Sequence, residues 1–145
     1  MSNSSAACMT DNHALVLSAS GICGWAIVNA LLHDYPTSES FHRVTALTNR
    51  PLDPDVTLWP PSSKLQHVSG VDLLQGSQAD LEQRLKENIT GIESVTVMYF
   101  MAYYFHEDAK KEVELNTVML ERAVTAMDHL SPRLTFVVLT LGVKV

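Results

Sequence analysis

Cysteine is scarce in this chain: two residues, Cys8 and Cys23, among 145. One sits in a polar stretch and the other in a glycine-containing turn. That excludes a disulfide scaffold and points to a reducing compartment, the cytoplasm. Positive charge is also short. Ten Lys and Arg against 16 Asp and Glu leave a net charge of −6, which argues against a nucleic-acid polyanion as partner. No apolar run reaches the roughly 18 residues that a membrane span requires, so no membrane partner is expected. Residues 1–12 lack a basic segment ahead of an apolar core. They read as a disordered polar tail rather than a secretion signal. The six histidines (His13, His33, His42, His67, His106, His129) are scattered without metal-ligand spacing. Neither a Gly-x-Ser-x-Gly elbow nor a Walker A loop occurs.

What is present is enough apolar material for a core. Hydrophobic residues make up 46% and charged residues 18%, so wholesale disorder is excluded and the length fits one domain over 13–145. His13 to Leu17 is a short continuous apolar run, as in a strand buried on both faces. A helix follows from Ile22, with Ile22, Ala26, Ile27, Ala30 and Leu31 at spacings of three and four, stopping near Asp34-Tyr35-Pro36. Arg43 to Thr48 reads as a second strand. The proline-rich stretch from Asn49 to Ser63 reads as a loop. A third strand fits Leu65 to Val68, and Ser77 is placed to cap a helix reaching Lys86. Ser94 to Phe100 is a fourth strand. Glu107 to His129 is a long helix with Val113, Val118, Leu120, Ala123, Val124 and Met127 as its apolar positions, and Leu134 to Leu139 is a fifth buried strand. This alternation predicts an α/β fold: a Rossmann-like, doubly wound parallel sheet of about five strands, ordered 3-2-1-4-5.

The turn after the first strand, Ser18-Ala19-Ser20-Gly21-Ile22-Cys23-Gly24, is where chemistry is expected. In a dinucleotide-binding fold, glycines here let backbone approach a pyrophosphate, and the following helix directs its N-terminus at the charge. Gly21 suits close approach and Gly24 suits tight packing of helix on sheet. A strand-to-helix turn also holds glycine for geometry alone, so the pair is weak evidence by itself.

The stretch "VLSASGICGWAIVNALL" resembles the first βα unit of the extended short-chain dehydrogenase/reductases, whose fingerprint is Gly-x-x-Gly-x-x-Gly. Ser18 stands where that family has its first glycine. "LTNRPL" resembles the end of the family's second strand, and "VSGVDLL" its Asp-hydrophobic pair near the adenine. "LTLGVKV" is similar to the Thr-Gly-x-Lys-His segment of the PRISE-like branch, that of progesterone 5β-reductase and iridoid synthase. The resemblance runs from Ala14 to Val145 and corresponds to the cofactor-binding portion alone, without the C-terminal substrate region.

Residue by residue, the resemblance implies cofactor contacts from Ser18, Ser20, Gly21, Ile22 and Gly24 in the turn. It adds Asn49 and Arg50 after the second strand, Asp72 and Leu73 after the third, Met101 after the fourth and Thr140 after the fifth. Arg50 lies where the adenosine ribose falls. A guanidinium there suits a 2′-phosphate, and no carboxylate occupies Thr48, Asn49 or Arg50, so NADPH is expected over NADH. Asp72 is expected to accept from the adenine amino group; alternatively it is a turn residue. Met101 and Ala102 would line the groove, although a Met beside an apolar strand also packs in cores. Lys144 matches the family's catalytic lysine, which binds the nicotinamide ribose and lowers the pKa of a tyrosine. Tyr99, Tyr103 and Tyr104 do not fall at that tyrosine's position.

The implied function is NADPH-dependent reduction of a conjugated enone or enal in secondary metabolism, with a small apolar carbonyl compound as substrate. Two other classes compete. One is a short isomerase or cyclase that performs no hydride transfer; the other is a non-catalytic subunit. The fifth strand is apolar, uncharged and lacks an internal Lys or Pro, so self-association or a partner chain is expected at its edge.

Overall fold

Five parallel strands hydrogen-bond in the order β3-β2-β1-β4-β5, as the alternation of elements predicts. They are β1 (His13–Leu17), β2 (Arg43–Leu47), β3 (Leu65–Val68), β4 (Val97–Phe100) and β5 (Phe136–Leu139). The computed structural model describes residues 11–140. The expected tail therefore lies outside the described residues, apart from its last two positions. Helices α1 (Ile22–Leu32), α2 (Gln78–Asn88) and α3 (Ala109–Leu130) complete the crossovers.

β1 is the hub because every one of its residues is buried. Its pleat sends alternate side chains to opposite faces. Ala14 and Val16 join a core under α1 with Val28, Leu31, Val44, Ala46 and Trp59. Leu15 and Leu17 join a larger core under α2 and α3 with Leu81, Leu85, Met98, Phe100, Ala123 and Met127. This two-faced burial explains why the strand has no polar alternation.

Several expectations need correction. The fourth strand begins at Val97, not Ser94, because Gly91 adopts φ 71 and opens a 3-10 turn over Ile92–Ser94; the Ser94 hydroxyl is spent on the Gly91 carbonyl at 2.7 Å. The α1 stripe is rotated: Ile22 and Ala26 face solvent, whereas Gly24, Val28, Leu31 and Leu32 are buried. On α3, Val113 is 68% exposed and the buried row is Glu112, Met119, Ala123, Ala126 and Met127. That helix starts two residues later than expected, since Asp108 caps it by accepting from the Lys110 and Lys111 amides.

The fifth strand departs most. It begins at Phe136, because Leu134 is still bonded into the turn at Ser131. It is not buried: Phe136 is 68% exposed and Leu139 44%. Parallel pairing with β4 orders it, but β5 is one of the two edge strands among the described residues, and all four of its residues are exposed.

Candidate functional site

The turn after β1 is built by Ser18. Its φ of 58 is left-handed, a conformation that costs a non-glycine residue about 1 kcal/mol. Glycine would adopt it freely, which gives the physical sense of a glycine at this point in the fingerprint. The chain then folds back, with the Gly21 amide donating to the Ser18 carbonyl at 3.1 Å and the Ala19 amide to Leu47 O at 3.0 Å. Gly24 is buried against this turn. A Cβ there would lie 2.2 Å from Ser18 O and 2.9 Å from Ala19 Cα, so no larger residue fits without moving backbone. At Gly21 an added Cβ would meet Ser18 O at an ordinary 3.4 Å. The protein's own packing does not demand glycine at 21.

The N-terminus of α1 differs from the other two. α2 carries a capping box from Ser77 and Asp80, and α3 is capped by Asp108. α1 has neither a side-chain cap nor an acidic residue in its first turn. Its positive dipole end is left uncompensated beside the glycine turn.

Around this turn the carboxyl ends of the strands enclose a groove of about 360 Å³. Ser18 and Ser20 line it from β1, Asn49 and Arg50 from β2, and Asp72 and Leu73 from the segment after β3. Ala102, Tyr103, Tyr104 and Met119 close the far wall. Six residues singled out in the sequence are thus brought together. Gly21, Ile22 and Gly24 adjoin them in the first turn of α1, with Ile22 92% exposed. Met101 is half-buried and packs with the core under α1 rather than in this groove, while its neighbour Ala102 lines it. Thr140 lies at a neighbouring, more apolar groove of about 370 Å³ that shares Ala102 and Tyr103. Lys144 lies outside the described residues.

Arg50 is held by its backbone, whose carbonyl accepts from the Thr48 hydroxyl at 3.0 Å. Its guanidinium is exposed and makes no hydrogen bond or ion pair with the described residues. Asp72 is a turn residue that also lines the groove. One carboxylate oxygen accepts from the Leu74 amide at 2.9 Å and fixes the turn, while the residue still lines the groove. An uncompensated helix N-terminus, a free guanidinium and a part-used carboxylate along one groove suit a ligand carrying phosphates and an amino-substituted base. Among the described residues no cluster of His, Cys, Asp or Glu could hold a metal ion.

Sequence reasoning missed the support behind the far wall. Glu112 is 5% exposed; its Oε1 accepts from the Tyr103 hydroxyl and its Oε2 from the His106 amide at 3.0 Å. Asn116 takes the Tyr104 amide on its Oδ1 and returns a bond to the Tyr104 carbonyl, each 2.8 Å. Together they clamp residues 103–106 onto α3. The only signal was Glu112 and Asn116 four apart on one helix face. Tyr99 sits on the opposite side of the sheet, where burial pushes its phenol above the usual range.

The fold and groove define a Rossmann-type domain whose strand ends converge on one binding cleft. Residues 14–145 match the PRISE-like Rossmann-fold domain, and the chain belongs to that family. It is 40% identical over 133 residues to the short chain dehydrogenase ausT of Aspergillus calidoustus, an alignment spanning 89% of this chain and 32% of that one. It is 38% identical over 131 residues to the short chain dehydrogenase sirQ of Leptosphaeria maculans, across 89% and 33% of the two. The chain thus spans about a third of the length of these relatives. Among solved structures it resembles Bordetella bronchiseptica WbmF, crystallised with NAD+ and UDP, at TM-score 0.60 and 16% identity over 90% of this chain and 36% of that one. The putative carbonyl reductase Sniffer of Caenorhabditis elegans gives TM-score 0.62 at 13% identity, over 84% and 54% respectively. At these identities the structural likeness speaks for the fold.

Proposed function

We propose that this chain is the cofactor-binding portion of an NADPH-dependent reductase of secondary metabolism, acting on a small apolar conjugated carbonyl compound. The observation that carries the reading is the convergence of Ser18, Ser20, Asn49, Arg50, Asp72 and Leu73 on one groove at the strand ends. Dinucleotides bind at that end of such sheets. The α1 N-terminus would face the pyrophosphate, with Gly21 leaving room for its approach. Arg50 would pair with the 2′-phosphate, and the remaining Asp72 oxygen would accept from the adenine amino group. When bound, the cofactor supplies the hydride.

Lys144 takes the catalytic lysine's place by resemblance. The tyrosines of the described chain are not at the family's proton-donor position, so the 145-residue chain should bind cofactor yet reduce an enone very slowly. The fungal relatives, named as short chain dehydrogenases, favour this class. Calorimetric titration of the chain with NADPH and NADH tests the reading. Saturable binding with preference for NADPH is the expected result; no binding of either dinucleotide overturns it.

A further inference from the structure

Arg50 stands at the start of a loop that contains only one short 3-10 turn, Pro54–Val56, between β2 and Trp59. An exposed cation on such a segment can select a phosphate only if the backbone beneath it is fixed, because ordering a free loop on binding would cancel much of the contact.

The loop is fixed from its far end. The Trp25 indole donates to Thr57 O at 2.6 Å, and the Trp59 indole donates to Trp25 O at 3.2 Å. Trp59 and Thr57 are 8% and 7% exposed, whereas Leu58 between them is 81% exposed and left-handed, at φ 57. That reversal turns both neighbours inward onto α1. The stretch from Asp53 to Thr57 is stiffened by Thr57 Oγ1 donating to Pro54 O at 2.8 Å and by Asp53 Oδ1 accepting from the Asp55 amide at 3.0 Å, and at the other end Arg50 O accepts from Thr48 Oγ1 at 3.0 Å. Trp25 follows Gly24 directly, so one residue joins the glycine-turn helix to the Arg50 loop.

We infer that Trp25 and Trp59 are positioning residues that lock the Arg50 loop to α1 and thereby set the discrimination between a 2′-phosphate and a 2′-hydroxyl. The inference rests on the reading of Arg50 as the 2′-phosphate contact. Phenylalanine stays aromatic but removes the N–H of either indole: Trp25→Phe leaves Thr57 O without its donor, and Trp59→Phe removes the bond that ties the loop to the α1 backbone.

The test is calorimetric titration of the 145-residue chain with NADPH and NADH, for Trp25→Phe and Trp59→Phe, each alone and combined with Arg50→Ala. Each tryptophan change should weaken NADPH about tenfold while moving NADH less than about twofold, and should have no effect on NADPH once Arg50 is alanine. Retained NADH affinity shows that a variant is folded. If Trp59→Phe does not fold, Trp25→Phe, whose side chain is only half-buried, decides the matter. Equal losses for both cofactors, or the same loss without Arg50, overturn the inference and leave the Arg50 reading standing. An unmodified chain with no preference for NADPH overturns the Arg50 reading, and this inference with it.

Discussion

His13 Nε2 lies 2.7 Å from the Thr45 hydroxyl, joining two neighbouring strands through side chains, and the histidine is wholly buried. Its other ring nitrogen is 2.9 Å from the Ser94 hydroxyl. Burial first, then the Arg43 charge and His42, push the imidazole down from 6.5 to about 4, against weaker opposite pulls from the Gly91 backbone and then Glu93.

A neutral histidine in the fold and an ordinary one in the unfolded chain set the sign of the pH dependence. The unfolded state binds the extra proton between 6.5 and about 4, so stability is complete above that window and falls as pH drops through it. The loss should reach on the order of 3 kcal/mol at most. His67, also lowered by burial, adds in the same sense. Urea unfolding midpoints measured across this range should slope downward with acid, and His13→Asn should flatten most of the slope. A midpoint independent of pH across the window would contradict this.

Gly24 and Gly21 should separate packing from binding. An alanine at 24 places Cβ 2.2 Å from a backbone oxygen, so Gly24→Ala should cost about 2–3 kcal/mol in thermal or urea unfolding. Gly21→Ala meets only ordinary contact and should leave stability within about 0.5 kcal/mol, while weakening dinucleotide binding. Equal stability losses from both changes would refute the distinction.

Arg50→Ala removes a side chain with no partner among the described residues, so the unfolding midpoint should not move. NADPH affinity should fall by about ten- to a hundredfold, the equivalent of about 1.5–3 kcal/mol for a charge-assisted contact. NADH affinity should stay unchanged. Titration of both cofactors reads the outcome directly, and parallel losses would remove Arg50 from the 2′-phosphate role.

β5 exposes Phe136, Val137, Val138 and Leu139 at the margin of the sheet. We expect the 145-residue chain to self-associate through this strand. Because Val137 is 38% exposed, Val137→Lys should cost less than about 1 kcal/mol in stability while reducing the associated fraction in sedimentation or light scattering. An unmodified chain that stays monomeric at tens of micromolar would defeat this expectation.

Strand and helix positions were legible because central parallel strands are largely apolar, and β1 shows that pattern from Ala14 to Leu17. The Ser77 cap was legible for a similar local reason: the side chain bonds its own turn. What escaped depends on distant neighbours. The apolar content of β5 says nothing of whether anything covers it. Nothing local marks Glu112, because its burial depends on Tyr103 and the His106 amide, which the preceding loop brings to it. The α1 face was misjudged because Gly24, contributing no hydrophobicity, is one of its buried residues, packed on the Ser18–Ala19 turn. Strand ends and turns bring Ser18, Arg50 and Asp72 to one groove, but the indole bonds of Trp25 and Trp59 depend on a loop path that no periodicity encodes.

The central place of β1 also has a consequence for biosynthesis. His13 pairs with Thr96, 83 residues further along, so during synthesis β1 cannot be flanked on both sides until β4 has followed. At about 5–20 residues per second that is a wait of roughly 4–17 s. During it the edge of β1 that pairs with β4 keeps its backbone groups unpaired and available to other chains. The yield of folded protein should therefore respond to holdase chaperones and to translation speed between Leu17 and Val97 more than to any change in final stability.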